Sequence, residues 1–157
     1  MKIKFLVLGK TAFPDVKVGE DRYSSRLQHY CSFERVEIPD VKNPKALSKD
    51  QLKKKEGELI LAKLIPTDHL ILMDENGTHQ TSEEFAQWLD KKQMSVNGNL
   101  LFVIGGAYGF SEAVYARANA KLALSKMTFS HQMVRMIFLE QLYRAYTILK
   151  GEPYHHS

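Results

Sequence analysis

Apolar residues open the chain as a tight run. Ile3, Phe5, Leu6, Val7 and Leu8 alternate and then crowd together within residues 2–9, the pattern of a strand buried in a parallel sheet. Residues 14–30, opened by Pro14, carry a weak helical pattern interrupted by Gly19. Phe33, Val36 and Ile38 alternate with charged residues as a second strand, which Pro39 stops. Residues 40–47 are polar with Pro44 and read as a loop. Ser48 and Gln51 have capping-box spacing and predict a helix to about Leu64. Gly57 in its middle costs about 1 kcal/mol relative to alanine, so it marks a bend or the close approach of another segment. Pro66 ends that helix, residues 69–73 form a third strand, and Asp74-Glu75-Asn76-Gly77 is turn chemistry at its end. Thr81 and Glu84 make a second capping box, for a helix that buries Phe85, Trp88 and Leu89 and closes at Asn97-Gly98. Residues 100–104 are the most apolar strand. A glycine loop over 105–109 leads to a short helix from Ser111 to about Ala118, then a short strand over 122–124. A second loop, 124–129, precedes a long helix from His131 to about Lys150 and a tail stiffened by Pro153.

Strands alternating with helices predict an α/β fold: a single domain over residues 1–157, with a mostly parallel sheet and helices on both faces. No internal repeat or low-complexity tract divides it. Ligands in such sheets sit beyond the carboxyl ends of the strands. Three segments at those ends are therefore candidates for a small-molecule site: 73–77, 105–109 and 124–129.

Composition narrows the partners only a little. The formal charge of +4 and pI of about 9.1 suit an RNA substrate and equally suit an ordinary solvated basic protein. Lys53-Lys54-Lys55 and Lys91-Lys92 read as solvated helix faces. Cys31 stands alone, which excludes an internal disulfide and a cysteine-based zinc site. No apolar run is long enough to span a membrane, and residues 1–5 lack the apolar stretch of a secretion signal. The expected compartment is the cytoplasm.

The candidate chemistry is sparse. Leu8-Gly9-Lys10-Thr11 looks like the end of a phosphate loop, but Lys4 stands where that loop needs its first glycine. Gly105-Gly106-Ala107-Tyr108-Gly109 lacks the dinucleotide spacing and the following acidic residue. Its glycines would let backbone approach a planar ligand, and they also suit a plain strand-to-helix turn. Residues 124–129 hold no nucleophile or carboxylate pair, which leaves main-chain hydrogen bonds to a base edge and apolar contact from Met127 and Phe129, or a structural loop. His131 and Arg135 lie one helical turn apart near a helix N-terminus, where an anion is favoured and Arg135 suits phosphate. A histidine at a helix start can equally be structural. The final helix is apolar nearly all round, so it is buried either between layers of one subunit or against a second copy with twofold symmetry. Tyr154-His155-His156 has no third ligand nearby, so no metal site is expected.

The glycine loop, the loop 124–129, the His131-x-x-x-Arg135 helix start, Tyr143-Arg144-Ala145 and the Pro153-Tyr154-His155 end together resemble the RlmH-type SPOUT methyltransferases, which modify pseudouridine at N3 in large-subunit ribosomal RNA. The likeness covers nearly the whole chain, including Lys55-Glu56-Gly57. It implies a C-terminal trefoil knot, S-adenosylmethionine as cofactor, and a homodimer acting on 23S rRNA in assembled ribosomes, with neither DNA nor a membrane as partner. It also implies cofactor contacts from Met73, Gly105, Leu124, Ser125, Lys126, Met127, Thr128 and Phe129. His131 and Tyr154 or His155 would position the base or take its proton, and Arg135 would meet phosphate or developing negative charge. Three positions depart from the family pattern: Ser130 replaces a proline and can cap the helix, Met73 replaces a leucine, and Ala107-Tyr108 replaces a polar or acidic pair. Competing functions are SPOUT methylation of another RNA, such as tRNA, and a non-catalytic dimeric ribosome-binding module.

Overall fold

A computed structural model describes residues 1–156; Ser157, the end of the tail, lies outside the described residues. These residues form a five-stranded sheet in the order β2-β1-β4-β3-β5, with every neighbouring pair parallel. The strands are β1 (Lys2–Leu8), β2 (Ser32–Ile38), β3 (His69–His79), β4 (Leu100–Ile104) and β5 (Ala120–Ala123). The helices are α1 (Pro14–Leu27), α2 (Lys49–Leu61), α3 (Ser82–Ser95), α4 (Glu112–Arg117) and α5 (Met133–Leu149). No helix among the described residues is long and apolar enough to cross a membrane.

Successive strand residues point to opposite faces, so each strand feeds two cores. Ile3, Phe5, Val7, Phe102 and Ile104 pack under α1, α3 and α5. Leu6, Leu8, Leu70, Leu72, Leu101 and Val103 pack under Ile60 of α2 and Val114 of α4. All five residues of β4 are buried, as its unbroken apolar run requires in a strand covered on both faces. Helix α5 lies between α1 and α3 over the first core. Its Phe138 ring stands 5.0 Å from Phe5 and 4.9 Å from Phe102, centroid to centroid. Much of the all-round apolar character of α5 is thus satisfied within one subunit.

Both capping boxes form. Ser48 caps α2 with Gln51 reaching back, and Thr81 caps α3 with Glu84. Gly57 marks a close approach, since a Cβ there would fall 2.4 Å from the Ser111 hydroxyl on the loop entering α4. Ser130 closes the turn ahead of α5, its Oγ accepting from Met133 N–H at 3.1 Å and its carbonyl from Val134 N–H at 3.0 Å, while Gln132 holds the N-cap position without a side-chain cap. Regular helix begins at Met133, two residues after the expected start.

Two expectations are corrected. The strand β5 covers Ala120–Ala123, two residues earlier than its apolar end suggested, because Ala120 and Lys121 pair with Ile71 and Leu72 although Lys121 itself is exposed. The segment 74–77 does not end β3. Met73 and Thr78 both pair with Leu122, so these four residues leave the ladder and the strand then resumes to His79.

His69 opens β3 with its Nε2 buried and unpartnered. Desolvation, then the positive charges of Lys92 and Arg117, hold its pKa below 6.5. A group depressed in the folded state contributes stability above its unfolded value, and that stability is lost as pH falls from there through the folded value. His69→Gln should therefore flatten the acid side of a melting-temperature profile between pH 7 and 5. Parallel profiles for wild type and variant would contradict this.

Candidate active site

The three segments expected at the strand ends meet around one cavity of about 770 Å³. Met73, Ile104 and Leu122 give it an apolar floor from β3, β4 and β5. Asp74, Glu75, Asn76 and His79 form one wall, Gly105 to Phe110 a second, and Leu124, Ser125, Lys126, Met127, Thr128 and Phe129 a third. His131 and Val134 close the side nearest α5. The cavity lies at the carboxyl ends of β3, β4 and β5, where ligands of open parallel sheets commonly sit.

Local chemistry fixes each wall. Asp74 Oδ1 accepts the Asn76 N–H at 3.0 Å, an Asx-type contact that turns the chain out of the sheet. Asp74 Oδ2 accepts the Tyr115 hydroxyl of α4 at 2.5 Å. Burial, with that hydrogen bond and the Asp74 charge, pushes the Tyr115 phenol up to about 12, so it stays a donor at neutral pH. In the glycine loop Gly109 N–H donates to Gly106 C=O at 3.1 Å. Behind Gly106 stands Glu56 of α2, with one carboxylate oxygen buried and unpartnered. Desolvation, then Asp40, raises its pKa. In the third wall Ser125 Oγ accepts Met127 N–H at 3.0 Å, which leaves the Met127 side chain exposed at the mouth.

Arg135 is not at this cavity, contrary to the expectation of a phosphate contact. It is 2 % exposed, and its guanidinium donates to Leu8 C=O at 2.6 Å, Gly9 C=O at 2.9 Å and Thr11 Oγ1 at 3.1 Å. Burial lowers its pKa, and the nearby Glu20 charge opposes that. Glu20 is itself buried and ion-paired to Arg35 at 2.5 Å. The reason His131 and Arg135 part company is local. His131 lies in the turn ahead of the helix, exposed, while Arg135 is inside α5 on its buried face.

The tail lies elsewhere too. Tyr154 Oη donates to Glu140 Oε2 at 3.1 Å, and the phenol pKa is raised, first by burial and then by Tyr23 and Glu140. His155 bridges Arg144, whose Nη1 is 3.0 Å from Nδ1, and Glu83. Arginine can only donate, so Nδ1 accepts and the Nε2 proton faces the Glu83 carboxylate. Arg144 is also held by Glu140 at 2.9 Å and lies over the Tyr154 ring. Tyr154 and His155 are therefore docked on α5 and the start of α3, outside the cavity lining.

Sequence reasoning missed Tyr115, His79, Phe110 and Val134 as lining residues. Tyr115 had a signal: one turn after the Ser111 cap, it lies on a short helix that must start beside the glycine loop.

A family model described as a predicted SPOUT methyltransferase matches residues 1–155. The chain belongs to the SPOUT methyltransferase family. Within this family it is 59% identical to a Cytophaga hutchinsonii protein over 99% of this chain and 100% of that one. It is 56% identical to a Parabacteroides distasonis protein over the full length of both. Both are named Ribosomal RNA large subunit methyltransferase H. A solved structure, the SpoU methyltransferase AviRb from Streptomyces viridochromogenes in complex with AdoMet, matches 96% of this chain and 61% of that chain, at 11% identity and a TM-score of 0.45. Family membership agrees with the resemblance carried by the glycine loop and the C-terminal segments. The three loop walls stand at the carboxyl ends of β3, β4 and β5 and enclose a concave site of the kind that takes a small molecule.

Proposed function

We propose that this protein transfers the methyl group of S-adenosylmethionine to N3 of a pseudouridine in 23S rRNA of the assembled ribosome. The observation that carries this reading is the cavity that the three predicted segments share, in a chain matched end to end by relatives named for large-subunit rRNA methylation. The residues fit the cofactor. A volume of about 770 Å³ lies within the range of about 300–1,000 Å³ usual for small-molecule sites. The lining also suits it, with apolar Met73, Leu122 and Leu124 for the adenine ring and methylene groups and main-chain groups of 105–109 and 124–129 for a base edge. Met73, Gly105, Leu124, Ser125, Lys126, Met127, Thr128 and Phe129 would hold it.

Bound there, S-adenosylmethionine supplies an electrophilic sulfonium methyl group. The chain's own part is to orient the pseudouridine and accept its N3 proton. His131 is suited to this, being exposed at the cavity edge in the turn before α5. Tyr154 and His155, part-buried against α5 and the start of α3 outside the cavity, would meet the RNA beyond the reacting base. Arg135 serves the reaction only through the position of α5. His131→Ala should lower single-turnover transfer to ribosomes by about a hundredfold, with calorimetric S-adenosylmethionine affinity nearly unchanged. Unchanged transfer would remove His131 from the chemistry.

A homodimer and a trefoil knot belong to the same proposal. Exposed Phe13, Phe129 and Met133 flank the start of α5, where Gln132 Oε1 accepts Ala12 N–H at 2.7 Å, and a second copy would cover them. Threading is supported by the path after β4. The chain runs to β5 at one sheet edge, yet α5 returns Arg135 to the carbonyls at the end of β1. A ribosomal substrate would put the protein in the cytoplasm. Calorimetry with S-adenosylmethionine tests the cofactor directly: one site per chain is expected, and no heat of binding would sink the reading.

A further inference from the structure

Tyr108 is the side chain at the cavity mouth that the cofactor does not account for. It occupies the tip of the Gly106–Gly109 turn, which is closed by the Gly109 N–H to Gly106 C=O bond at 3.1 Å and by a bridge between the two glycines. Gly109 takes φ +84, a conformation that glycine adopts without strain. The tip is therefore fixed, and the aromatic ring it carries is 47 % exposed. A large aromatic side chain held out from a short turn gains little from folding.

Lys49 lies against this ring, its Nζ 5.1 Å from the centroid. The lysine is the first residue of α2, on a separate element from the glycine loop, and it is exposed. Lys126 lines the same cavity from the opposite loop. The mouth thus combines a flat aromatic surface with ammonium groups. Single-stranded RNA is recognised by that pairing: bases stack on aromatic rings while cations meet the phosphates.

We propose that the Tyr108 ring is a stacking platform for a nucleobase of the RNA substrate, with Lys49 meeting the adjoining phosphate. This rests on the rRNA methyltransferase reading above and adds a residue that sets how substrate is held. Stacking needs the π face and not the hydroxyl, so the variants separate. Tyr108→Leu keeps apolar bulk and loses the ring, whereas Tyr108→Phe keeps the ring.

Steady-state methylation of ribosomes by the full chain, beside calorimetric affinity for S-adenosylmethionine, gives the test. Tyr108→Leu should raise the KM for ribosomes about tenfold, and Tyr108→Phe should stay within about twofold of wild type. S-adenosylmethionine affinity should be unchanged in both. A Tyr108→Leu enzyme with wild-type KM for ribosomes overturns the proposal. So does one that loses S-adenosylmethionine affinity while keeping its ribosome KM, because the ring would then belong to the cofactor. Failure of the wild-type enzyme to methylate ribosomes would instead overturn the underlying reading, and it is seen before any variant is made.

Discussion

Replacing Arg135 by methionine should lower stability by about 3–5 kcal/mol. The guanidinium is buried and donates to two main-chain carbonyls and the Thr11 hydroxyl. Methionine fills much of the volume and supplies no donor, so Leu8 C=O and Gly9 C=O are left dry and unpaired. Hydrogen bonds from a charged donor are worth about 1.5–3 kcal/mol each. The carbonyls lie at the end of β1, an inner strand with a neighbour on each side, so the loss falls on the core. Arg135→Lys should recover only part of it, because an ammonium cannot present the planar fork that reaches Leu8, Gly9 and Thr11 together. Urea and thermal melts measure both variants. A loss below about 1 kcal/mol combined with abolished transfer would return Arg135 to the catalytic role its position near His131 in sequence first implied.

Gly77→Ala should weaken S-adenosylmethionine binding by about tenfold to a hundredfold. A Cβ on Gly77 would stand 2.6 Å from Leu122 N, 2.7 Å from Lys121 C and 2.8 Å from Leu122 C. All three are backbone atoms, so no side chain can rotate away. Either the 74–77 excursion or β5 must shift. The first carries Asp74 to Asn76 and the second carries Leu122, all of which line the cavity. Calorimetry on the folded variant reads the effect, with circular dichroism to confirm the fold. Wild-type affinity would mean that this crossing of backbone over backbone does not shape the site.

Most of the fold was legible because the signals were local. The apolar runs at 2–9 and 100–104 and the capping boxes at Ser48 and Thr81 each specify an element from adjacent residues. What the sequence hid was long-range. Asp74-Glu75-Asn76-Gly77 has turn composition whether the strand stops or resumes, and only pairing of Thr78 with Leu122 decides it. Arg135 shows the same limit at the site. Spacing put it beside His131, but the carbonyls that hold it are more than a hundred residues away in the chain. The cavity walls were legible as strand ends, whereas Tyr115 required knowing that α4 packs its tyrosine towards Asp74.

The central claim is tested most directly by methyl transfer from labelled S-adenosylmethionine to intact ribosomes lacking the modification, with free large-subunit rRNA and bulk tRNA alongside and the product located by mass spectrometry. The account predicts label on N3 of a pseudouridine in 23S rRNA of intact ribosomes. Label confined to tRNA, or no transfer together with no cofactor binding, would contradict it.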